Sequence, residues 1–500
     1  MSANIKVLLL FCICLTVRGL GVDRPNIVLF LTDDQDSVMD SMNAMKNVKH
    51  FIANGGVTYT NAFVASPICC PSRASILTGQ YPHNHHTYNN SIDGGCYGNR
   101  WKSSEFNTFA NILHNDGYST FYAGKYLNQY GVKEAGGPEV VPPGWSEWHG
   151  LVGNSVYYDY IMSNNGVPTH STDLYLTDVI SNLGVSFIEN QTESQPFLMV
   201  LAPPAPHQPF SPAPRHKDVF ANTTVKRHPN FNIIAQDKHW LLRMEPSPLP
   251  DDAIPELDRV YRSRWETLLA VDEMVAAVVT SLKEKGLIQN TYLIYTSDNG
   301  YHIGQFSQVY DKRQPYESDI RVPLIITGPS IVHNTNDDPV MNIDLAPTIL
   351  TLAGVKPPKY MDGEPINLFI DKDMNERNML IEYFGEHNEH SVDSTCPWKY
   401  DANLAECKPA YNCKCQDTKN NTYGCIRHMA PRIDFKYCHF NDNEDFVEIY
   451  NLAEDPYELH NLAHDTMPAI KYWYQLTLLK MLTCQGSVDC NTGPQDYNAL

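Results

Sequence analysis

The sequence has no hydrophobic run long enough for a membrane. The apolar stretch at residues 7–17 has 11 residues, short of the roughly 18 that a spanning helix needs. No later segment qualifies, so a chain with no membrane span is predicted. Basic residues are also scarce, with 37 Lys+Arg against 57 Asp+Glu and a formal charge of −20. Nucleic-acid-binding surfaces are basic, so no nucleic-acid partner is predicted. There is no internal repeat and no low-complexity tract. Apolar residues are not lacking: 42% are hydrophobic and 19% charged, which excludes a mostly disordered chain. At about 150 residues per domain, 500 residues allow about three domains, or one large α/β unit with a smaller companion.

The N-terminus carries a leader-like pattern. Lys6 precedes the apolar run, and Arg18-Gly19-Leu20-Gly21 offers small residues for cleavage, so residues 1–21 read as a secretory signal. Two of the 13 cysteines, Cys12 and Cys14, fall inside it. The other eleven are an odd number, which leaves one thiol spare or chemically special. Eight of them lie at or beyond Cys396, so disulfides should staple the C-terminal part in an oxidising compartment. Zinc around Cys413 and Cys415 is the alternative, disfavoured by irregular spacing. Asn89, Asn190, Asn222 and Asn420 head Asn-x-Ser/Thr sequons and are candidate glycosylation sites.

Apolar runs at 26–31, 119–123, 196–201, 291–296 and 322–326 read as strands. Their continuous rather than alternating character suggests burial on both faces, as in a parallel sheet. Residues 264–285 have helical spacing, with Gly286 placed to end the helix. Alternation of this kind predicts an α/β domain over 22–374. From 375 to 500 the chain is polar and Cys-rich, with a strand candidate at 446–450, and reads as a smaller C-terminal α+β domain.

The residues that follow the strand candidates are chemically useful. Asp33 and Asp34 follow the first, Lys125 the second, His207 the third, and Asp298 and Asn299 the fourth. Sites in open α/β sheets form outside the carboxyl ends of strands, so these residues can converge. Singly, each has a plainer reading: a turn or N-cap for the Asp pair, a hairpin turn for Asp298-Asn299-Gly300, a surface charge for Lys125, a loop position for His207. Together the carboxylates and Asn299 form a hard, oxygen-rich set suited to calcium or magnesium rather than zinc. Lys125, His207, Arg73 and Lys312 would add positive charge for a compact anion such as phosphate or sulfate. Between these pieces lies Cys69-Cys70-Pro71-Ser72-Arg73-Ala74-Ser75-Ile76-Leu77-Thr78-Gly79. A helix from about Pro71 would put Cys69 at its positive end. A disulfide-bonded cysteine and a thiolate nucleophile are the alternatives. The second needs five residues between Cys and Arg, and here there are three.

Cys-x-Pro-Ser-Arg followed by Ala-Ser-x-Leu-Thr-Gly resembles the signature of the type I, formylglycine-dependent sulfatases. Segments 24–34, Gly124-Lys125, Pro206-His207, 297–300 and 448–462 match as well. Residues 81–86, 124–128, Pro143-Gly144-Trp145, 299–302 and 304–306 resemble the branch acting on 6-sulfated glucosamine. The resemblance implies an alkaline-phosphatase-like sulfatase fold, with a large mostly parallel central sheet flanked by helices. It implies Cys69 converted to Cα-formylglycine by the formylglycine-generating enzyme, and one calcium ion held by Asp33, Asp34, residue 69, Asp298 and Asn299. The aldehyde hydrates to a geminal diol whose oxygen, oriented by Arg73, attacks sulfur; the second hydroxyl then expels sulfate. A serine would stop at a stable ester. Lys125, His207 and Lys312 would neutralise sulfate oxygens, and either Lys312 or a nearby histidine would protonate the leaving alcohol.

The implied activity is exo-acting hydrolysis of the 6-O-sulfate of (N-acetyl)glucosamine in heparan and keratan sulfate oligosaccharides, in the lysosome, reached by the secretory pathway. Secretion is the alternative location, and a homodimer is an expected state. Endosulfatase, arylsulfatase and inactive glycan-binding readings are the rivals. The endosulfatases carry a long basic insertion that is missing here. One departure is Leu127, where many sulfatases place a histidine after the Lys motif. His302 and Asn128 are candidate replacements. Trp145 and Tyr301 are candidates for stacking on a sugar ring or for core packing. Losing Lys6 and Arg18 with the leader would take the charge from −20 to −22, which is compatible with an anionic substrate read in a small cationic pocket.

Overall fold

The structure is a computed structural model that describes residues 24–368, 375–387 and 389–491. The leader at 1–21 lies outside the described residues. The central sheet has ten strands: β1 (Asn26–Thr32), β2 (Val57–Tyr59), β3 (Ser119–Lys125), β4 (Glu147–Leu151), β5 (Tyr160–Asn164), β6 (Val167–Ser171), β7 (Phe197–Ala202), β8 (Thr291–Ser297), β9 (Leu324–Thr327) and β10 (Asn334–Asn336). Their order across the sheet is β10-β2-β9-β8-β1-β7-β3-β4-β5-β6. The middle five, β8-β1-β7-β3-β4, are parallel. All seven residues of β1 are buried. Ile27, Leu29 and Leu31 join one hydrophobic layer and Val28 and Phe30 the other. A strand covered on both faces has no reason to alternate, which is why the apolar runs were readable.

Helices cover the sheet, among them α1 (Cys69–Thr78), α2 (Leu176–Glu189) and α3 (Ile254–Glu284). All ten residues of α1 are buried, and Gly79 closes it in the left-handed region at φ 70°. α3 begins ten residues before the expected start, with Pro255 in its first turn. Leu257, Val260 and Tyr261 continue the buried apolar stripe one turn at a time toward the N-terminus, between charged residues, so the helical spacing extends further back than residue 264. A second correction concerns 322–326. The strand there is β9, and it runs antiparallel to both β8 and β2. An apolar run reports burial and carries no direction.

A four-stranded antiparallel sheet follows, formed by β11 (Arg377–Tyr383), β12 (Tyr423–Ala430), β13 (Ile433–Phe440) and β14 (Val447–Asn451). Helix α4 (Pro468–Met481) packs on it. Met379, Ile381, Ile426 and Tyr437 belong to the same hydrophobic cluster as Ile27 and Leu29, so this sheet shares the core of the first. Five disulfides pair Cys70–Cys96, Cys396–Cys413, Cys407–Cys415, Cys425–Cys438 and Cys484–Cys490. Cys413 and Cys415 are thereby committed to sulfur bridges rather than zinc. Cys69 is the free thiol among the described residues.

Candidate active site

The parallel register brings the strand ends level. Thr32 pairs with Ser297, and Ala123 and Phe30 both pair with Leu201. Asp33-Asp34, Lys125, His207 and Asp298-Asn299 therefore emerge on one edge of the sheet, and α1 presents Cys69 and Arg73 to the same place. Lys125 Nζ donates to both oxygens of Asp33, at 3.0 and 2.8 Å. Asp34 is left-handed at φ 70°. Its N–H donates to Asp298 Oδ1 at 2.9 Å, its Oδ1 accepts from Asn299 Nδ2 at 2.8 Å, and its Oδ2 accepts from Lys312 Nζ at 2.8 Å. Arg73 Nε donates to Asp298 Oδ2 at 2.7 Å, and its Nη1 to Lys125 O at 2.6 Å. Cys69 Sγ lies 3.8 Å from Asp34 Oδ1, and His207 Nε2 lies 3.8 Å from Asp34 Oδ2. His207 Nδ1–H donates to the Gln208 carbonyl at 2.6 Å, which turns Nε2 toward the carboxylates.

The donor set fits a hard divalent cation. Carboxylate oxygens of Asp33, Asp34 and Asp298 lie within 4.8 Å of one another. Asn299 Oδ1 is buried and meets no polar partner among the described residues. An orphaned buried carboxamide oxygen beside three carboxylates is an acceptor in want of a cation. Electrostatics push the groups apart. Burial would raise Asp33, but Lys125, His207, Arg73 and Lys312 hold its carboxyl well below the usual range. Burial pushes Asp298 up to about 7 against the pull of Arg73. It lowers His207 to about 4, helped by Lys312. It pushes the Cys69 thiol up to about 12 despite Lys125 and Lys312. An unmodified Cys69 would be a protonated thiol, which argues against a thiolate nucleophile.

The remaining candidates have the following surroundings. His302 Nδ1 pairs with Asp319 at 2.9 Å, and its buried Nε2 has no polar partner among the described residues. Its hydrogen bonds run to Asp319 and not to the cluster at Asp34. Asn128 Nδ2 donates to Asn154 Oδ1 at 3.2 Å. Trp145 is packed against Tyr122 and Trp148, and Tyr301 is 3% exposed beneath Arg264, so neither offers a face to a sugar. Of the sequons, Asn190 and Asn222 are exposed, while Asn89 and Asn420 are half-buried. Two contributors carry no sequence signature: Ser155, whose hydroxyl donates to Asp33 Oδ2, and Arg264.

A cavity of about 650 Å³ lies nearby, lined among others by Asn90, Gln129, Arg313, Glu386 and His387. Asn90 Oδ1 accepts from the Cys70 N–H at 2.9 Å, and its own N–H donates to Glu386 Oε1 at 2.8 Å. Arg313 directly follows Lys312 and reaches Glu386 Oε2 at 3.1 Å. The cavity wall is therefore one residue removed from both Cys69 and Lys312.

A family model described as Sulfatase matches residues 25–355. N-acetylglucosamine-6-sulfatase of Homo sapiens is 45% identical over 493 residues, covering 96% of this chain and 88% of that protein. The extracellular sulfatase SULF-1 homolog of Drosophila melanogaster is 40% identical over 354 residues, 69% of this chain but 31% of that protein. A solved structure of a protein in complex with its substrate D-glucosamine-2-N,6-O-disulfate superposes with TM-score 0.71 at 24% identity, covering 92% of this chain and 97% of that one. At that identity the likeness concerns the fold.

Proposed function

Because the chain belongs to the sulfatase family, we propose that it hydrolyses the 6-O-sulfate ester of N-acetylglucosamine in heparan and keratan sulfate fragments, acting from the chain end. It is a sulfuric ester hydrolase. The observation that carries the reading is the cluster itself: three carboxylates with the orphaned Asn299 Oδ1, ringed by Lys125, Arg73, Lys312 and His207, around the free cysteine. The 45% identity over nearly the whole chain directs the reading to glucosamine 6-sulfate. The match to the human relative takes in 88% of that protein and 96% of this chain, against 31% and 69% for the fly extracellular sulfatase, which supports the exo reading over the endo one.

A calcium ion would be held by Asp33, Asp34, Asp298, Asn299 and an oxygen at position 69, and supplies positive charge beside the transferring sulfate. Formylglycine at position 69 would, as its hydrate, supply two hydroxyls on one carbon, where a serine would supply one. The chain's own residues do the rest. Arg73, fixed by Asp298 and by the Lys125 carbonyl, orients the group at 69. Lys125, Lys312 and His207 stabilise the sulfate oxygens as charge shifts. Lys312 or a histidine returns the proton to the departing alcohol. His302 remains the candidate for the missing motif histidine, and unchanged turnover in His302→Gln would remove it. The sugar occupies the cavity beside Arg313 and Glu386.

Residues 22–374 form the catalytic domain and 375–500 the C-terminal one. The lysosome is the site of action, in keeping with the disulfides and sequons. The test pairs mass spectrometry of the peptide containing Cys69 with sulfate release from N-acetylglucosamine 6-sulfate and from defined oligosaccharides. Formylglycine with terminal desulfation is expected. An unmodified thiol with no release would overturn the enzyme reading, and internal desulfation would shift it to an endosulfatase.

A further inference from the structure

Behind the carboxylate cluster lies a buried guanidinium whose sequence position marks it only as part of a helix. Arg264 of α3 is 1% exposed. Its Nη2 donates to the Asp34 carbonyl at 2.7 Å and to Asp36 Oδ1 at 3.1 Å, and its Nη1 donates to the Pro206 carbonyl at 3.4 Å. Its Cζ lies 4.0 Å from the centre of the Tyr301 ring, and Lys312 Nζ lies 5.8 Å from the same ring. One planar side chain thus touches the segments after three strands. They are Asp34 after β1, Pro206 beside His207 after β7, and Tyr301 two residues beyond Asn299 after β8.

Asp34 is the point of strain. A non-glycine residue at positive φ persists only where its surroundings over-determine it. The Asp34 carbonyl is held by Arg264 on one side, while its carboxylate meets Lys312 and Asn299 on the other. Asp36 keeps the guanidinium charge paired inside the fold. Only a rigid fork spans these partners together; an ammonium on a flexible stem offers a point charge.

We propose that Arg264 is a positioning residue of the cation site, setting the Asp34 backbone so that its carboxylate stands in register with Asp33 and Asp298. The proposal rests on the cation-site reading of the cluster given above. The experiment is calorimetric titration of calcium into the full chain after stripping with chelator, for wild type, Arg264→Lys, Tyr301→Leu and Asp34→Asn, with circular dichroism as the check on folding. Loss of an outer-shell partner weakens metal affinity by about 10–100-fold. Arg264→Lys is expected in that range with an unchanged dichroism spectrum, and Tyr301→Leu is expected to weaken binding several-fold. A fifth protein, Arg264→Ala, is titrated with and without free guanidinium, which should restore part of its affinity, as general destabilisation would not allow. If Arg264→Lys fails to fold, Tyr301→Leu decides. Wild-type affinity in Arg264→Lys and Tyr301→Leu, with binding abolished in Asp34→Asn, would overturn the role of Arg264 and leave the cation site standing. Wild-type affinity in Asp34→Asn would overturn the cation site, and the role of Arg264 with it.

Discussion

At the scale of single residues, the site is a set of buried charges that hold one another. Lys125 and Asp33 are both fully buried and joined by two hydrogen bonds. Breaking a buried pair from one side leaves a charge without compensation, at a cost of about 3–5 kcal/mol. Lys125→Met should show that loss in urea unfolding under chelator, together with a fall in kcat of about 10²–10³-fold. Cys69→Ser tests the chemistry at position 69 in another way. A hydroxyl can accept sulfate but cannot expel it, so steady-state turnover should vanish while the peptide spanning position 69 accumulates as a stable sulfate ester in mass spectra. Rapid multiple turnover would contradict the need for an aldehyde. Much of this site was legible in the sequence, because Asp33, Asp34, Lys125, Asp298 and Asn299 directly end or follow apolar strands. Ser155 and Arg264 were not: a serine in a loop and an arginine inside a helix have no spacing that distinguishes them. Trp145 shows the opposite limit, since an aromatic residue has the same spacing whether it faces a sugar or a core.

At the scale of elements, the glycines beside the site residues mark close approaches. Gly124, at φ 115°, precedes Lys125, and a Cβ there would lie 2.0 Å from the Ala202 carbonyl of β7. A Cβ on Gly300 would lie 2.1 Å from the Ser318 carbonyl. The Asp-Asn-Gly stretch that could have been a hairpin turn instead lets two backbones meet. Gly124→Ala should part β3 from β7 at the level of Lys125. We expect a loss of about 2–4 kcal/mol in denaturant unfolding and a larger proportional loss of activity than of stability. An alanine enzyme with normal turnover would mean that Lys125 tolerates the shift. Strand direction marks another boundary of legibility. β9 and β1 are both short apolar runs, and only the pairing distinguishes the antiparallel one.

At the scale of the whole molecule, ionisable groups join the C-terminal sheet to the segment after α1 and give the fold a pH dependence. His83 pairs with Glu382 of β11 at 2.6 Å and with the Cys484 carbonyl at 2.9 Å, close to the end of the described chain. Burial opposes its charge, yet the Glu382 hydrogen bond and charge raise it to about 9. A histidine raised in the fold contributes stability below its unfolded value near 6.5 and loses it as pH rises through 9. Burial raises the Glu105 carboxyl to about 7. A carboxyl raised in the fold stabilises while protonated, so this contribution fades as pH climbs from about 4.5 to 7. Urea unfolding from about pH 4.5 to about pH 9.5 should show stability falling in both windows. Glu105→Gln should flatten the lower window, and His83→Gln the upper, by on the order of 2 kcal/mol. A Glu105→Gln or His83→Gln stability curve that runs parallel to wild type through its own window would contradict that assignment.

The complete burial of α1 also sets an order of events in time. Cys69 is 0% exposed, on a helix whose ten residues are all enclosed, so no other enzyme can reach its side chain once the sheet has closed over it. The conversion proposed for Cys69 would therefore have to act on the growing or still-open chain, and folding would end the opportunity. Protein that folds with its thiol intact is then a finished product rather than a precursor. Converting enzyme added later should leave it inactive unless the fold is first undone.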